Sequence, residues 1–393
     1  MFKLSINKII NLYLICSLFI LAFVEVESSG SVPLKIFYIE NNKGYFLLIV
    51  SIIILLLTFI YKSYKKIDLT VIFLLCKCVL DLIPFFRGTD AGRSSYWYYY
   101  AMVLLMPIVY FIFKQFSGDC EFIINTLTMF GLLLICQVVA TAIHNGYSFT
   151  SSIYKNYLRI PIAHSNIIGV ILLTILVLRL IYGKKDKKNI IIDIVYVFGL
   201  ILIQSRGSWI FLIAWFSWVW IKKLHEKKKD VQISLVFLLI LFFAVVFVSS
   251  ETLQELLLST TLNKSFDIYS MTSGRTKIWS LAVTKWLTNP WFGTGLGVTE
   301  YDIGREVIFT GVHNIIIDYA VQSGIVGIAV YAAALIHGLQ NKKKKKSSIS
   351  KSFFWSSIVI LLYSMVEVCY YNFPCLFLFW MLMGIYNSKS MEE

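Results

Sequence analysis

Stretches of about eighteen to twenty apolar residues recur along this chain, each long enough to cross the hydrocarbon core of a bilayer as an α-helix. Of its 393 residues, 58% are hydrophobic and 15% charged, with a mean hydropathy of +0.75. A soluble protein of this size could not bury so much apolar surface. The pattern predicts an all-α polytopic membrane protein whose helices satisfy their own backbone hydrogen bonds in lipid. About twelve spans are expected, at 9–26, 44–61, 67–86, 96–113, 122–144, 160–182, 190–204, 207–221, 231–249, 314–337, 353–371 and 373–387. They form one integral membrane domain over 1–393. The first run has no convincing small-residue cleavage site, so it reads as a retained helix and not as a signal peptide.

The formal net charge of +14 would point to nucleic acid in a soluble protein. Here it follows from topology, and no nucleic-acid partner is expected. Lysine-rich runs at 61–66, 183–189, 222–230 and 342–346 fall in alternate connections. Assigning these connections and both termini to the cytoplasm puts most of the 36 lysines and arginines inside, as the positive-inside rule requires. The seven cysteines lie almost entirely within expected spans, with no C-x-x-C, which argues against a disulfide framework or a zinc site.

With that orientation, one long hydrophilic segment, residues 250–313, lies outside the cell. Connections longer than about fifteen residues between packed elements are usually functional. Within it, Ser273 can cap a helix running from about Gly274 to Leu287, which Asn289–Pro290 stops. Its apolar stripe, Ile278, Leu281 and Ala282, suggests an amphipathic helix on the outer membrane interface. E-T-L-Q-E-L-L-L-S (251–259) is a second such helix or an extension of the ninth span. Gly293, Gly295 and Gly297 lack the strand and the Lys-Ser/Thr of a nucleotide loop; they predict a flexible turn that lets backbone approach a substrate. Trp97, Trp279, Trp286 and Trp291 read first as an interfacial aromatic belt and second as sugar-stacking platforms.

Several outer-side residues are candidates for chemistry. Arg206 sits in a very short Q-S-R-G turn, either as a snorkelling anchor or as an anion ligand. Arg275 lies at a helix N-terminus, itself favourable to anions. Together the two could grip a diphosphate through forked, charge-assisted hydrogen bonds. His313 opens the tenth span, where the helix dipole favours the neutral imidazole that a general base needs. Asn314 can cap or orient it. Asp318 and Gln322 are polar residues in an apolar helix and are expected to face the bundle interior. Arg159 and His164 bracket the start of the sixth span. Lys77 and Asp81, four residues apart in the third span, read as a mutually neutralising pair, with a proton or ion relay as the alternative. Glu367 is an intramembrane acid with no partner evident from sequence. There is no D-x-D for a metal-bound nucleotide sugar, no suitable acidic pair in the long loop, and no G-x-S-x-G. Chemistry without metal or cofactor, based on arginines and a histidine, is expected.

The ordered set R-x-P-I-A-H-S-N-I-I-G (Arg159 to Gly169), S-R-G (Ser205 to Gly207), S-G-R-x-x-x-W (Ser273 to Trp279), N-P-W-F-G-x-G-x-G (Asn289 to Gly297), H-N (His313, Asn314) and S-G-I-V-G (Ser323 to Gly327) resembles the O-antigen polymerase and O-antigen ligase superfamily. The resemblance covers roughly 155–335, a polymerase- or ligase-like core. It departs from the family where H-S-N stands in place of a frequent Pro-Asn pair. It implies a GT-C-like membrane glycosyltransferase fold in the bacterial cytoplasmic membrane. It also implies metal-independent sugar transfer from an undecaprenyl-diphosphate-linked oligosaccharide on the outer face. Carried over, Arg206 and Arg275 would bind the diphosphate, and His313 would activate the acceptor hydroxyl. A polymerase building capsule, exopolysaccharide or O-antigen is the expected activity, alongside a flippase and a chain-length regulator of the same route. A ligase moving finished glycan is the first alternative. A lipid-linked-oligosaccharide flippase is the second, disfavoured because no repeated halves are evident.

Overall fold

A computed structural model describes residues 5–24, 43–60, 67–86, 93–144, 146, 158–183, 186–226, 275–297, 300–302, 308–340, 347–388 and 391. The expected ninth span, the 251–259 helix and the rest of the loop up to 274 lie outside the described residues, as do the 61–66 and 342–346 lysine runs. Eleven of the twelve expected spans contain a described helix. Among the described residues six segments are long and apolar enough to cross a membrane: Ile6–Phe23, Leu69–Phe86, Tyr96–Lys114, Cys120–His144, Ser165–Tyr182 and Ile315–Leu339. Four shorter apolar helices accompany them. The chain is a multi-pass membrane protein.

In chain order the helices are α1 (Ile6–Phe23), α2 (Lys43–Ile60), α3 (Leu69–Leu80), α4 (Leu82–Phe86), α5 (Arg93–Lys114) and α6 (Cys120–His144). Next come strands β1 (Arg159–Ile160) and β2 (Ala163–His164), then α7 (Ser165–Tyr182), α8 (Lys187–Leu202), α9 (Arg206–Glu226) and α10 (Arg275–Thr288). Strands β3 (Glu300–Asp302) and β4 (Ile308–Thr310), then α11 (Ile315–Leu339), α12 (Ser348–Tyr363) and α13 (Phe373–Tyr386) complete the described elements. The sequence of α13, F-P-C-L-F-L-F-W-M-L-M-G-I-Y, has no polar stripe, and a helix apolar all round must be enclosed. Every one of its residues is buried, with α5 and α12 packed along it. On its other side α12 packs against α7, itself buried over most of its length.

Two expected boundaries are corrected. The sixth span does not begin at 160. Arg159–His164 forms a tight antiparallel hairpin, with Arg159 opposite His164 and Ile160 opposite Ala163, and the helix starts at Ser165. Pro161 carries no amide hydrogen for a helical bond, which favours a turn there. The eleventh span likewise stops at Tyr363 instead of 371. Residues 364–372 form an irregular connection with one 3-10 turn, Cys369–Tyr371, before Pro374 opens α13. Tertiary bonds hold this connection: Ile315 N donates to Ser364 O (2.9 Å), and Asn314 Nδ2 donates to Met365 O (3.2 Å).

Helix α11 is broken at Gly324, whose φ of 65° and ψ of −171° lie outside the helical region. The break frees carbonyls and amides in a largely buried part of the helix, and a buried backbone group left unpaired costs about 1–3 kcal/mol. The Asn289–Gly297 segment takes them up. Thr294 N and Gly295 N donate to Val321 O and Gln322 O (2.7 and 3.0 Å), while Ile325 N and Val326 N donate to Pro290 O and Trp291 O (2.9 and 3.2 Å). Such close backbone contact requires glycine. A Cβ on Gly293 would lie 2.4 Å from the Gln322 carbonyl carbon, and one on Gly324 would lie 2.3 Å from that of Trp291. The turn read as a backbone approach to substrate is therefore a backbone approach to α11.

Helix α10 matches the helix expected at about 274–287, but its apolar face is not left to lipid. Ile278 and Ala282 are fully buried against Val312 and Val321, with α10 packed on α11. Two of the expected belt tryptophans serve the loop instead: Trp279 Nε1 donates to Val312 O (2.9 Å) and Trp286 Nε1 to Pro290 O (3.1 Å). Trp97 and Trp291 remain exposed.

Candidate active site

The irregular connection after α12 carries Glu367, whose side chain is only 3% exposed. Its Oε1 accepts from His313 Nδ1 (2.7 Å) and from the Val368 amide (3.1 Å). Its Oε2 accepts from Asn166 Nδ2 (2.7 Å) and, at 3.4 Å, from Arg275 Nη2. One carboxylate thus joins the first turn of α7, the N-terminus of α10 and the residue pair that opens α11. Burial pushes its pKa up, but the His313 hydrogen bond and the charges of His313, His164 and Arg275 outweigh that, and Glu367 is held down at about 2.

Each expected site residue can be located. His313 precedes α11 in a left-handed backbone conformation, φ 54°, which a non-glycine residue adopts only when its surroundings hold it there. Its side chain is 19% exposed, and among the described residues its Nε2 has no partner. Arg275 is the first residue of α10, 29% exposed, and among the described residues Glu367 is its one hydrogen-bond partner. Asn314 does not hold His313. It caps α11, accepting from Ile316 N and Ile317 N. Asp318 is buried one turn deeper and accepts from Gln322 Nε2 (2.8 Å), away from the carboxylate cluster. His164 is exposed at the end of β2, close enough for its charge to act on Glu367. Arg159 lies in β1; its side chain is outside the described residues.

Arg206 is the first residue of α9, just after a backbone reversal at Gln204 (φ 53°); its side chain is also outside the described residues. Its neighbour Ser205 borders the cluster. Ser205 Oγ donates to Asn166 Oδ1 at 3.4 Å and shares a hydrogen bond with the Tyr363 hydroxyl at 2.9 Å. A Cβ on Gly169 would strike Ser208 Oγ at 2.3 Å, which explains the glycine where α7 and α9 meet. The S-N-I-I-G and S-R-G motifs, far apart in sequence, are thus one packing unit.

Elsewhere, Lys77 and Asp81 are fully buried and paired, with Nζ–Oδ1 at 2.6 Å. Ser323, beside the Gly324 break, donates to Asp81 Oδ1 (2.7 Å) and accepts from Lys77 Nζ (2.8 Å). The Lys77 ammonium also lies 4.9 Å from the centre of the Tyr319 ring. Among the described residues no disulfide joins two cysteines, and no cluster of three or more His, Cys, Asp or Glu is arranged to hold a metal.

Residues 191–332 match the family described as O-antigen ligase. Over this segment the chain is similar to that family. No curated protein matches the chain. The O-antigen ligase match takes in Arg206, Arg275 and His313, but neither the 159–169 motif nor Glu367. Glu367 is the site residue that the motif search failed to connect. Its one signal in the sequence was an acid within an otherwise apolar run.

Proposed function

We propose that the protein is a polysaccharide polymerase that joins undecaprenyl-diphosphate-linked oligosaccharide repeat units on the outer face of the bacterial cytoplasmic membrane, with both termini inside. The observation that carries this reading is the joining of His313 and Arg275 on one buried carboxylate, in a chain whose residues 191–332 match the O-antigen ligase family. The acceptor is a sugar hydroxyl on a second lipid-linked unit. Its oxygen attacks the anomeric carbon of the donor, and His313 Nε2 takes the proton. The glycosidic bond to phosphate breaks, and its electron pair leaves with undecaprenyl diphosphate. Arg275 and Arg206 stabilise the charge that develops there. The base later returns its proton to solvent. No step calls for a metal or cofactor. Two large substrates held in one cleft gain further rate from positioning.

Purified protein in detergent, given lipid-linked repeat units, is expected to lengthen them. Detergent leaves no bilayer to cross, so lengthening also removes the flippase alternative; no lengthening would overturn the polymerase reading. The O-antigen ligase description of the matched family favours a second reading, transfer of finished glycan to another acceptor. Deletion separates the two. Loss of a polymerase leaves single repeat units, whereas loss of a ligase leaves long chains on the lipid carrier. Within this reading, a flippase and a chain-length regulator are the protein partners.

A further inference from the structure

We infer that Glu367 is a positioning residue of this site, a single carboxylate that touches both the base and the anion-binding arginine and sets them relative to each other. The inference rests on the glycosyl-transfer reading and goes beyond it, because Glu367 lies outside the matched 191–332 segment. An ionised carboxylate only accepts hydrogen bonds. Facing one at 2.7 Å, His313 Nδ1 must carry hydrogen, which leaves Nε2 as the nitrogen that can receive a proton. The logic is that of any buried acid that fixes the tautomer and orientation of a catalytic imidazole. Glu367 does a second thing such acids need not do: its other oxygen reaches Arg275. Proton acceptor and leaving-group cation are therefore registered on the two oxygens of one group.

Glu367 is itself held firmly. Asn166 Nδ2 and the Val368 amide fix both oxygens, and the side chain is almost wholly enclosed. Among the described residues the contact to Arg275 is long and single, which leaves its other guanidinium donors for a diphosphate. Among the described residues, the titratable and charged groups acting on or felt by Glu367 include His313, His164, Arg275, Tyr363 and Cys369.

The test uses full-length protein in detergent, with two readouts on wild type and E367Q. Nitrogen-15 histidine spectra, with His313→Asn to assign the signal, report the tautomer. Turnover of a lipid-diphosphate-linked repeat unit across pH reports the chemistry. The expected result is an Nδ1–H imidazole in wild type that is lost in E367Q. With it, kcat should fall by about 100-fold, within the usual contribution of a positioned base, with an altered pH profile and little change in KM. An unchanged tautomer, or an unchanged kcat and pH profile, would overturn the positioning role and leave Glu367 a structural ion-pair partner. If wild type transfers no sugar, the glycosyl-transfer reading falls, and the spectra alone still decide whether Glu367 sets the imidazole. Should E367Q fail to fold, Asn166→Ala removes one strut of the carboxylate and is expected to shift both readouts in the same direction by less; no shift overturns the proposal.

Discussion

The Trp279 indole donates to the carbonyl of Val312, so the helix that begins with Arg275 is tied to the residue directly before His313. Trp279→Phe keeps the ring and removes the donor. A hydrogen bond of this kind contributes about 1 kcal/mol net, and that is a factor of about five in an equilibrium. The variant is expected to insert normally and to lose roughly that much in kcat/KM when repeat-unit lengthening is measured.

His313→Ala, Arg206→Ala and Arg275→Ala are each expected to abolish polymer while the protein still reaches the membrane. Polymer is read from surface-glycan gels, insertion from membrane fractions. Normal polymer in all three would refute the proposed roles.

Gly324→Ala puts a side chain against the Trp291 carbonyl and forces alanine into a region open essentially to glycine alone. The backbone term by itself costs about 1–3 kcal/mol. A lower Tm in detergent is expected, together with faster protease cleavage in the 289–297 segment.

The Lys77–Asp81 pair gives opposite predictions for its two readings. As a structural pair, Lys77→Met strands a buried carboxylate and destabilises by about 3–5 kcal/mol, whereas Lys77→Met with Asp81→Leu restores much of the loss. Recovered Tm and recovered activity in the double variant identify a structural pair. Recovered Tm without activity identifies a relay.

Glu367 supplies a pH dependence of stability. Its pKa falls from the ordinary 4.5 to about 2 on folding, so its contribution is complete above about 4.5 and is lost as pH drops toward 2. Wild type is expected to lose Tm over that interval more steeply than E367Q. Parallel curves would show that the carboxylate is not held as described.

The helices were legible because long apolar runs admit few structures in lipid. The breaks in them were not. S-G-I-V-G continues the apolar pattern of α11, and only the docked 289–297 backbone makes an interruption there affordable. Residues 364–372 read as the end of a span because their irregular path is imposed by Asn314 and Ile315 from another helix. Glu367 was visible as an acid in an apolar run. Its partners stand 201, 92 and 54 residues away at Asn166, Arg275 and His313, a separation no local pattern records. The loop helix was foreseen, but not what it packs against, since an amphipathic stripe is the same whether it meets lipid or protein.

The four backbone bonds across the Gly324 break bear on how a glycolipid of the kind proposed would reach the site. Peeling the 289–297 segment away would leave the Val321 and Gln322 carbonyls and the Ile325 and Val326 amides without these partners, next to the Ser323 hydroxyl that binds Lys77 and Asp81. These bonds make the 289–297 segment a fixed wall against α11. On the proposed function, substrates would enter beside that wall and not by displacing it.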